Sequence, residues 1–124
     1  MIEANPKKAV KILLVEDNEG DIRLAQEVLA ESRLVSQLDV VRDGVEALAY
    51  LRRQGRYAKA SRPDIIIMDL NLPRMDGREL LTALKNEDGL KRIPVIVLTT
   101  SQAEQDVLRT YELHANCFIS KPVD

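Results

Sequence analysis

Several residue types that often carry function are scarce in this sequence. It has no tryptophan, one phenylalanine, one cysteine and one histidine, and aromatic residues make up 3% of its 124 residues. The single cysteine, Cys117, excludes an internal disulfide and is typical of a reducing cytoplasm. We interpret Cys117 as a small buried hydrophobe. His114 falls in a predicted loop, and we interpret it as a surface or packing residue rather than a catalytic base.

Strong net charge and long apolar runs are also lacking. The formal net charge is −2, so no strong field attracts nucleic acid or anionic lipid. No apolar run approaches the roughly 18 residues that a membrane span needs, and the start MIEANPKKAV has no secretory h-region. We therefore expect a cytoplasmic protein without a nucleic-acid or membrane partner.

What the sequence does contain describes one globular domain. Hydrophobic residues make up 45% and charged residues 31% of the chain, which is ordinary for a globular protein long enough to bury a core. Residues 1–10 read as a loose lead-in, and residues 11–124 read as the folded domain.

The stretch from Asp64 to Gly77, DIIIMDLNLPRMDG, organises the rest of the chain. Its apolar run Ile65–Met68 follows a proline and precedes turn residues, a pattern that predicts a strand buried on both faces. Asp69 follows that run directly. Open α/β sheets bind their ligands at the carboxyl ends of their strands, so the pattern predicts a carboxylate at a functional edge.

Strands and helices are predicted to alternate along the whole chain. The predicted strands are Lys11–Val15, Gln37–Val41, Ile65–Leu70, Val95–Thr99 and Asn116–Ser120. Four amphipathic stripes between them predict helices. Each helix start carries a short polar residue followed three positions later by an acid, as in a capping box; these residues are Asn18, Asp43, Asp76 and Ser101. Such alternation predicts a parallel sheet with helices on both faces.

The segment Gln54–Pro63 is the one long loop in this prediction. It is basic, with Arg52, Arg53, Arg56, Lys59 and Arg62 in it or beside it. We interpret it as a solvated loop, and the alternative is a patch that binds a partner.

Polar residues follow four of the five predicted strands. They are Glu16 and Asp17 after the first, Asp69 at the third, Thr99, Thr100 and Ser101 at the fourth, and Lys121 after the fifth. Strands of a parallel sheet end at the same edge, so these side chains are predicted to converge there. Three adjacent carboxylates repel one another unless a cation joins them. Oxygen ligands at an edge open to water suit Mg²⁺, and a phosphoryl group then becomes the natural ligand.

These residues make the sequence resemble the receiver domain of two-component response regulators. The match rests on the pair Glu16-Asp17, on Asp69 with Pro73 and Gly77, on Thr99, and on Lys121-Pro122, and it covers nearly the whole chain. The resemblance implies a doubly wound, flavodoxin-like α/β fold with five parallel strands in the order 2-1-3-4-5. The run DLNLPRMDG, the basic loop and the ending HANCFISKPVD look most like the stand-alone receivers that partner phytochrome-like histidine kinases.

The resemblance also implies a role for each matched residue. Asp69 would be the phosphoacceptor that takes a phosphoryl group from a kinase phosphohistidine. Asp17, Asp69 and the backbone carbonyl of Asn71 would ligate Mg²⁺, and Glu16 would hold a metal-bound water. The only chemistry implied is the protein's own phosphotransfer and autodephosphorylation, so we do not expect an enzyme acting on other substrates.

A second group of residues would bind the phosphoryl group and report its presence. Lys121 would pair with the phosphate and Thr99 would move inward to bond it. Phe118 occupies the family's switch position, commonly Tyr or His, and could respond only through packing. Thr100 stands where Ala or Gly is frequent, and we expect its bulk to slow dephosphorylation. The output would be a protein contact with an unknown downstream partner.

The end of the sequence bears on how one face of the sheet is covered. The family continues past Lys-Pro into a fifth helix, whereas this sequence ends at Asp124. Strands that are apolar on both faces would then be left partly uncovered. We expect either a longer chain with that helix or a second copy, hence a homodimer, to cover the face.

Two other functions remain open at this point. A phosphatase of the haloacid dehalogenase type also uses a strand-end aspartate with Mg²⁺, but it needs an acid two residues later, where this chain has Asn71. A flavin or nucleotide binder needs a phosphate-binding loop after the first strand. The run Glu16–Glu19 is acidic there and would repel phosphate without a metal.

Overall fold

The computed structural model describes residues 10–99 and 117–120, with the backbone alone for residues 35–36 and 117–120. The described strands are β1 (Val10–Val15), β2 (Val35–Val41), β3 (Ile65–Asp69), β4 (Val95–Thr99) and β5 (Cys117–Ser120). The described helices are α1 (Glu19–Ala30), α2 (Gly44–Leu51) and α3 (Gly77–Lys85), and a 3₁₀ turn spans Gly55–Tyr57. The predicted fourth helix and its cap Ser101 lie outside the described residues.

The five strands form one parallel sheet in the order β2-β1-β3-β4-β5. This confirms the predicted doubly wound arrangement and the strand order that the family resemblance implied. In the register, Val15 pairs with both Val41 and Met68, and Asp69 pairs with Leu98. The carboxyl ends of β1, β3 and β4 therefore lie side by side at one edge of the sheet.

One face of the sheet packs against α2 and α3. Leu13, Ile66, Met68 and Val97 from the strands are completely buried. Side chains from both helices complete this core, namely Ala47, Leu48, Leu80, Leu81 and Leu84. Ile66 and Met68 lie on the same face because side chains two positions apart in a strand point the same way. This core fixes β3 and the residues that follow it.

The opposite face carries α1 and is less completely buried. Leu14, Ile67 and Leu98 line an apolar groove of about 230 Å³ together with α1. Leu24 and Val28 on α1 are 44% and 59% exposed. The fifth helix that was predicted to cover this face is not among the described residues. That helix and the alternative, a second copy of the chain, both stay predictions. No helix within the described ranges is long and apolar enough to cross a membrane.

The described helices begin at the polar caps that the sequence predicted. The side chain of Asn18 accepts the Asp21 backbone N–H at 2.9 Å, and that of Asp43 accepts the Glu46 N–H at 2.7 Å. Asp76 and Glu79 form a complete capping box. Caps satisfy backbone donors that have no partner within the helix, so local sequence sets where each helix starts.

The predicted bounds need small corrections. β1 and β2 start earlier, at Val10 and Val35, and β3 ends at Asp69 rather than Leu70. The strand pairs in this sheet extend as far as backbone hydrogen bonds form between neighbours, which hydrophobicity alone does not define.

The basic segment is more structured than a solvated loop. It contains the 3₁₀ turn, and several of its cations bind within the domain. Arg52 pairs with Glu87, Arg56 pairs with Glu46 and stacks on Tyr57, and Arg62 donates to the Gly89 carbonyl. These contacts tie the segment to α2 and to the turn before β4.

The surroundings of Tyr50 predict that the protein becomes less stable against unfolding at alkaline pH. Tyr50 is a largely buried residue whose hydroxyl donates to Asp39, and the burial, followed by this hydrogen bond, raises the pKa of Tyr50. The unfolded chain releases that proton near pH ~10, so this contribution to stability is present below that pH and is lost as the pH rises. Urea unfolding at pH 9 and pH 11 should show a smaller drop in Tyr50→Phe than in the original protein. Equal drops would contradict the assignment.

Candidate functional site

Three carboxylates meet at the carboxyl edge of the sheet. Glu16 and Asp17 follow β1 directly, and Asp69 is the last residue of β3. One carboxylate oxygen from each lies within 4.8 Å of the others. Glu16 and Asp69 are buried, whereas Asp17 is exposed. The sequence predicted this convergence from the strand ends, and the structure brings these three residues together.

Hydrogen bonds from nearby backbone N–H groups orient two of these acids. A Glu16 carboxylate oxygen, Oε2, accepts the Asn18 backbone N–H at 3.2 Å, and Asp69 Oδ1 accepts the Asn71 backbone N–H at 3.3 Å. The Glu16 N–H donates to the Val41 carbonyl at 3.0 Å, which extends the β1–β2 pairing by one residue. The carboxylates are therefore held by the sheet and by the first residues of each loop.

The fourth strand brings a hydroxyl to the same edge. Thr99 is the last residue of β4 and is fully buried, and it lies one position beyond Leu98, the partner of Asp69. In β5, Ser120 pairs with Thr99 and Phe118 pairs with Val97. Only the backbone of Phe118 is described, and Thr100 and Lys121 lie outside the described residues.

The loop between β3 and α3, Leu70–Asp76, folds back against β3. The Gly77 N–H donates to the Leu70 carbonyl at 2.8 Å. A Cβ at Gly77 would lie 2.8 Å from the Leu70 Cα and 2.9 Å from the Asp69 carbonyl oxygen. This approach requires glycine, so Gly77 determines how closely the loop returns to the acidic site.

A second set of contacts joins this loop to α2. The Gly44 N–H donates to the Met75 carbonyl at 3.1 Å, and Arg74 pairs with Asp43 at 3.2 Å. The sequence pattern identified Asp43 only as a helix cap and gave Arg74 no role. Neither residue carries a local signal for this contact, because the two are 31 positions apart in the chain.

The donor set fits a hard divalent cation. Three carboxylates whose oxygens lie within 4.8 Å of one another carry like charges, which repel in a partly buried site. A divalent cation removes that repulsion, and oxygen-only ligands at a water-accessible edge are those that Mg²⁺ and Mn²⁺ accept. The residues present are therefore chemically suited to such an ion.

The strand order and the position of the acids place this chain among the doubly wound α/β proteins of the flavodoxin-like arrangement. Residues 12–124 match the response regulator receiver domain. The chain belongs to this family, and it is a receiver-domain response regulator of two-component signalling. This identification does not favour the phosphatase or the flavin binder, which the sequence alone left open.

Similar proteins support the narrower resemblance to phytochrome-associated regulators. Response regulator Rcp1 of Synechocystis sp. is 53% identical over 119 residues, which cover 96% of this chain and 80% of Rcp1. The phosphorylated cyanobacterial phytochrome response regulator RcpA superposes with a TM-score of 0.86 at 56% identity, over 94% of this chain and 83% of RcpA. The Mn²⁺-bound form of Rcp1 superposes with a TM-score of 0.85 at 51% identity, over 93% and 83% of the two chains.

Proposed function

We propose that this protein accepts a phosphoryl group on Asp69 from a phytochrome-like sensor histidine kinase. The observation that carries this proposal is the cluster of Glu16, Asp17 and Asp69 at the carboxyl edge of the sheet. The similarity to phytochrome response regulators supports the choice of kinase. A cytoplasmic location, expected from the composition, belongs to the same proposal.

Asp69 is the nucleophile in this proposal. A carboxylate oxygen of Asp69 would form a bond to phosphorus while the P–N bond of the kinase phosphohistidine breaks, which yields an acyl phosphate on Asp69 and a neutral histidine once that ring regains a proton. Burial of Asp69 limits the access of water, and the Asn71 N–H on Oδ1 fixes the rotation of the carboxylate. Positioning of this kind supplies much of the catalysis in phosphoryl transfer.

Mg²⁺ is the metal we propose for the acidic cluster. Asp17, Asp69 and the backbone carbonyl of Asn71 would hold the ion directly, and Glu16 would hold it through water. The bound ion would neutralise charge on the phosphoryl oxygens. The related Rcp1 has been solved with Mn²⁺ bound, which supports a divalent site, and the preference for Mg²⁺ rests on its small size and oxygen-only ligands.

The response to phosphorylation would involve the neighbouring strand ends. Thr99 would bond a phosphoryl oxygen, Lys121 would pair with the phosphate, and Phe118 would respond through its packing. Thr100 would shield the acyl phosphate from water. A new dianionic group favours the conformation that binds it better, and this shifts the population of a surface read by a downstream protein.

A small phosphodonor tests this function without the natural kinase. The protein is incubated with Mg²⁺ and acetyl phosphate and then analysed for an adduct that is stable in acid and labile in base, as acyl phosphates are. We expect one phosphoryl group per chain, and its formation should stop when the metal is chelated. Formation of the adduct at the same rate in chelator would contradict the proposed metal.

Asp17 and Glu16 are predicted to differ in their contribution to metal affinity. Asp17→Ala removes a direct ligand, so it should weaken Mg²⁺ binding by more than the roughly 10- to 100-fold that loss of an outer-shell partner costs. Glu16→Ala should weaken it less, because Glu16 acts through water. Isothermal titration with Mg²⁺ at fixed ionic strength measures both, and circular dichroism confirms that each variant is folded. Equal losses would contradict the assigned ligand shells.

A further inference from the structure

Arg74 has an unusual backbone conformation for its residue type. Its φ is +66°, in the left-handed region that long side chains seldom adopt. The Met75 N–H donates to the Pro73 carbonyl at 2.7 Å, so Arg74 is the central residue of a three-residue turn. Turns of this kind are strained when the central φ is positive. Backbone strain persists where surrounding contacts hold it in place.

Two adjacent contacts to α2 hold this turn. Arg74 donates to Asp43 Oδ2 at 3.2 Å, and the next residue, Met75, accepts the Gly44 N–H at 3.1 Å. The Asp43 side chain is only 10% exposed, and its other oxygen, Oδ1, caps α2 through the Glu46 N–H. The Asp43 carboxylate that Arg74 binds is therefore also held in place by its cap hydrogen bond to α2.

The other end of the same loop lies at the acidic cluster. Asn71 contacts Asp69 Oδ1 through its N–H, and Leu70 accepts the Gly77 N–H. Only Leu72 and Pro73 separate Asn71 from Arg74, and proline restricts the backbone further. A change in the backbone of the turn at Arg74 therefore also moves Asn71.

We propose that Arg74 is a positioning residue for the acidic cluster. Its ion pair with Asp43 holds the β3–α3 loop so that the Asn71 backbone faces the site beside Asp69, and it links the start of α2 to occupation of that site. This inference rests on the proposed function, because it assigns Arg74 a role in the same metal and phosphoryl site.

Simple electrostatics predicts the opposite effect, which makes the proposal testable. Arg74 is a cation near a cation-binding site, so its removal should strengthen binding of Mg²⁺ if only charge mattered. If Arg74 positions the loop, its removal should weaken binding. The sign of the change therefore separates the two explanations.

The experiment measures the affinity for Mg²⁺ alone at fixed ionic strength. We expect Arg74→Ala to weaken binding by about 3- to 10-fold, less than the roughly 10- to 100-fold typical of residues that bond metal ligands directly. Arg74→Lys keeps the charge opposite Asp43 and should restore most of the affinity. The matched control is Lys91→Ala, which also removes one cation and breaks an exposed pair with Asp88. It lies before β4, at the other edge of the sheet, and should change the affinity less than twofold.

The effect of Mg²⁺ on hydrogen exchange at the Gly44 amide is a second readout. A merely structural Arg74–Asp43 pair would not change this effect. In the original protein, Mg²⁺ should slow exchange of this amide, because it bonds to Met75 in the positioned loop. In Arg74→Ala this metal-dependent slowing should be lost. If that variant does not fold, Arg74→Gly decides, since glycine adopts positive φ without strain but cannot pair with Asp43. It should fold and should also lose the slowing.

The outcomes are distinguishable from failure of the proposed function. If Arg74→Ala binds Mg²⁺ as tightly as the original protein or more tightly, while Asp17→Ala loses affinity, the role of Arg74 is refuted and the metal site stands. If Asp17→Ala keeps full affinity, the proposed metal site itself fails. Slowing of Gly44 exchange by Mg²⁺ to the same extent in Arg74→Gly would also refute the link to α2.

Discussion

Asp69→Asn is expected to abolish formation of the phosphoryl adduct. The amide has no anionic oxygen to attack phosphorus, and the proposed site assigns the carboxylates of Asp17 and Glu16 to the metal, directly and through water, rather than to phosphorus. Loss of a covalent nucleophile removes the step itself rather than part of its rate. The adduct is measured by intact mass after incubation with acetyl phosphate and Mg²⁺.

Asp64→Asn is the matched control for that substitution. Asp64 precedes the same strand but lies at its other end, where a carboxylate oxygen, Oδ2, accepts the Lys11 N–H at 2.9 Å. The same chemical change there should leave phosphorylation at the original level. An adduct that forms on Asp69→Asn as it does on the original protein would exclude Asp69 as the phosphoacceptor.

Gly44→Ala is expected to destabilise the fold and to disturb the site at the same time. A Cβ at Gly44 would lie 2.3 Å from the Met75 carbonyl oxygen and 2.7 Å from its Cβ. Both atoms belong to the loop that returns from Asp69, so relief of the clash must move that loop. Overpacking of this kind costs about 1–3 kcal/mol, which for a domain of this size lowers the melting temperature by roughly 3–15 °C.

Gly89→Ala is the control for the effect of the glycine itself. Within the described part of the chain, no heavy atom beyond Gly89 and its two chain neighbours lies within 4 Å of a Cβ built there, so alanine should be neutral or stabilise the fold by about 0.4–1 kcal/mol through the unfolded state. Thermal unfolding of both variants, with Mg²⁺ titration of the folded ones, gives the comparison. A Gly44→Ala protein as stable as Gly89→Ala would mean that the loop does not hold the position described.

Much of the fold could be predicted because its signals are local. Asn18, Asp43 and Asp76 cap helices through hydrogen bonds to residues three positions away, and such bonds are read directly from spacing. The alternation of short apolar runs and amphipathic stripes indicates a parallel sheet without knowledge of any distant contact. The strand order itself came from the family resemblance, and the structure confirms it.

The acidic cluster was predictable for a topological reason. Parallel strands end at one edge, so Asp17 and Asp69 had to approach each other once β1 and β3 were neighbours. Their roles as metal ligand and phosphoacceptor came from the resemblance and stay predictions. The assigned roles of Thr100 and Lys121 concern side chains outside the described ranges.

The contacts that sequence reasoning missed are tertiary. Nothing near Arg74 in the sequence indicates a positive φ, because that conformation is held by Asp43 and Gly44 from α2. The basic segment was interpreted as a solvated loop because a run of charged residues is usually solvated. Its partners, such as Glu87 for Arg52, come from distant parts of the chain.

Mapping the phosphoryl group within the chain tests the central claim most directly. After incubation with acetyl phosphate and Mg²⁺, borohydride reduces an aspartyl phosphate to homoserine, which tandem mass spectrometry locates in the digested protein. Homoserine at position 69 alone is the predicted result. Homoserine at position 17, or a phosphoryl group on a serine or threonine with Asp69 unmodified, would contradict the assignment of Asp69.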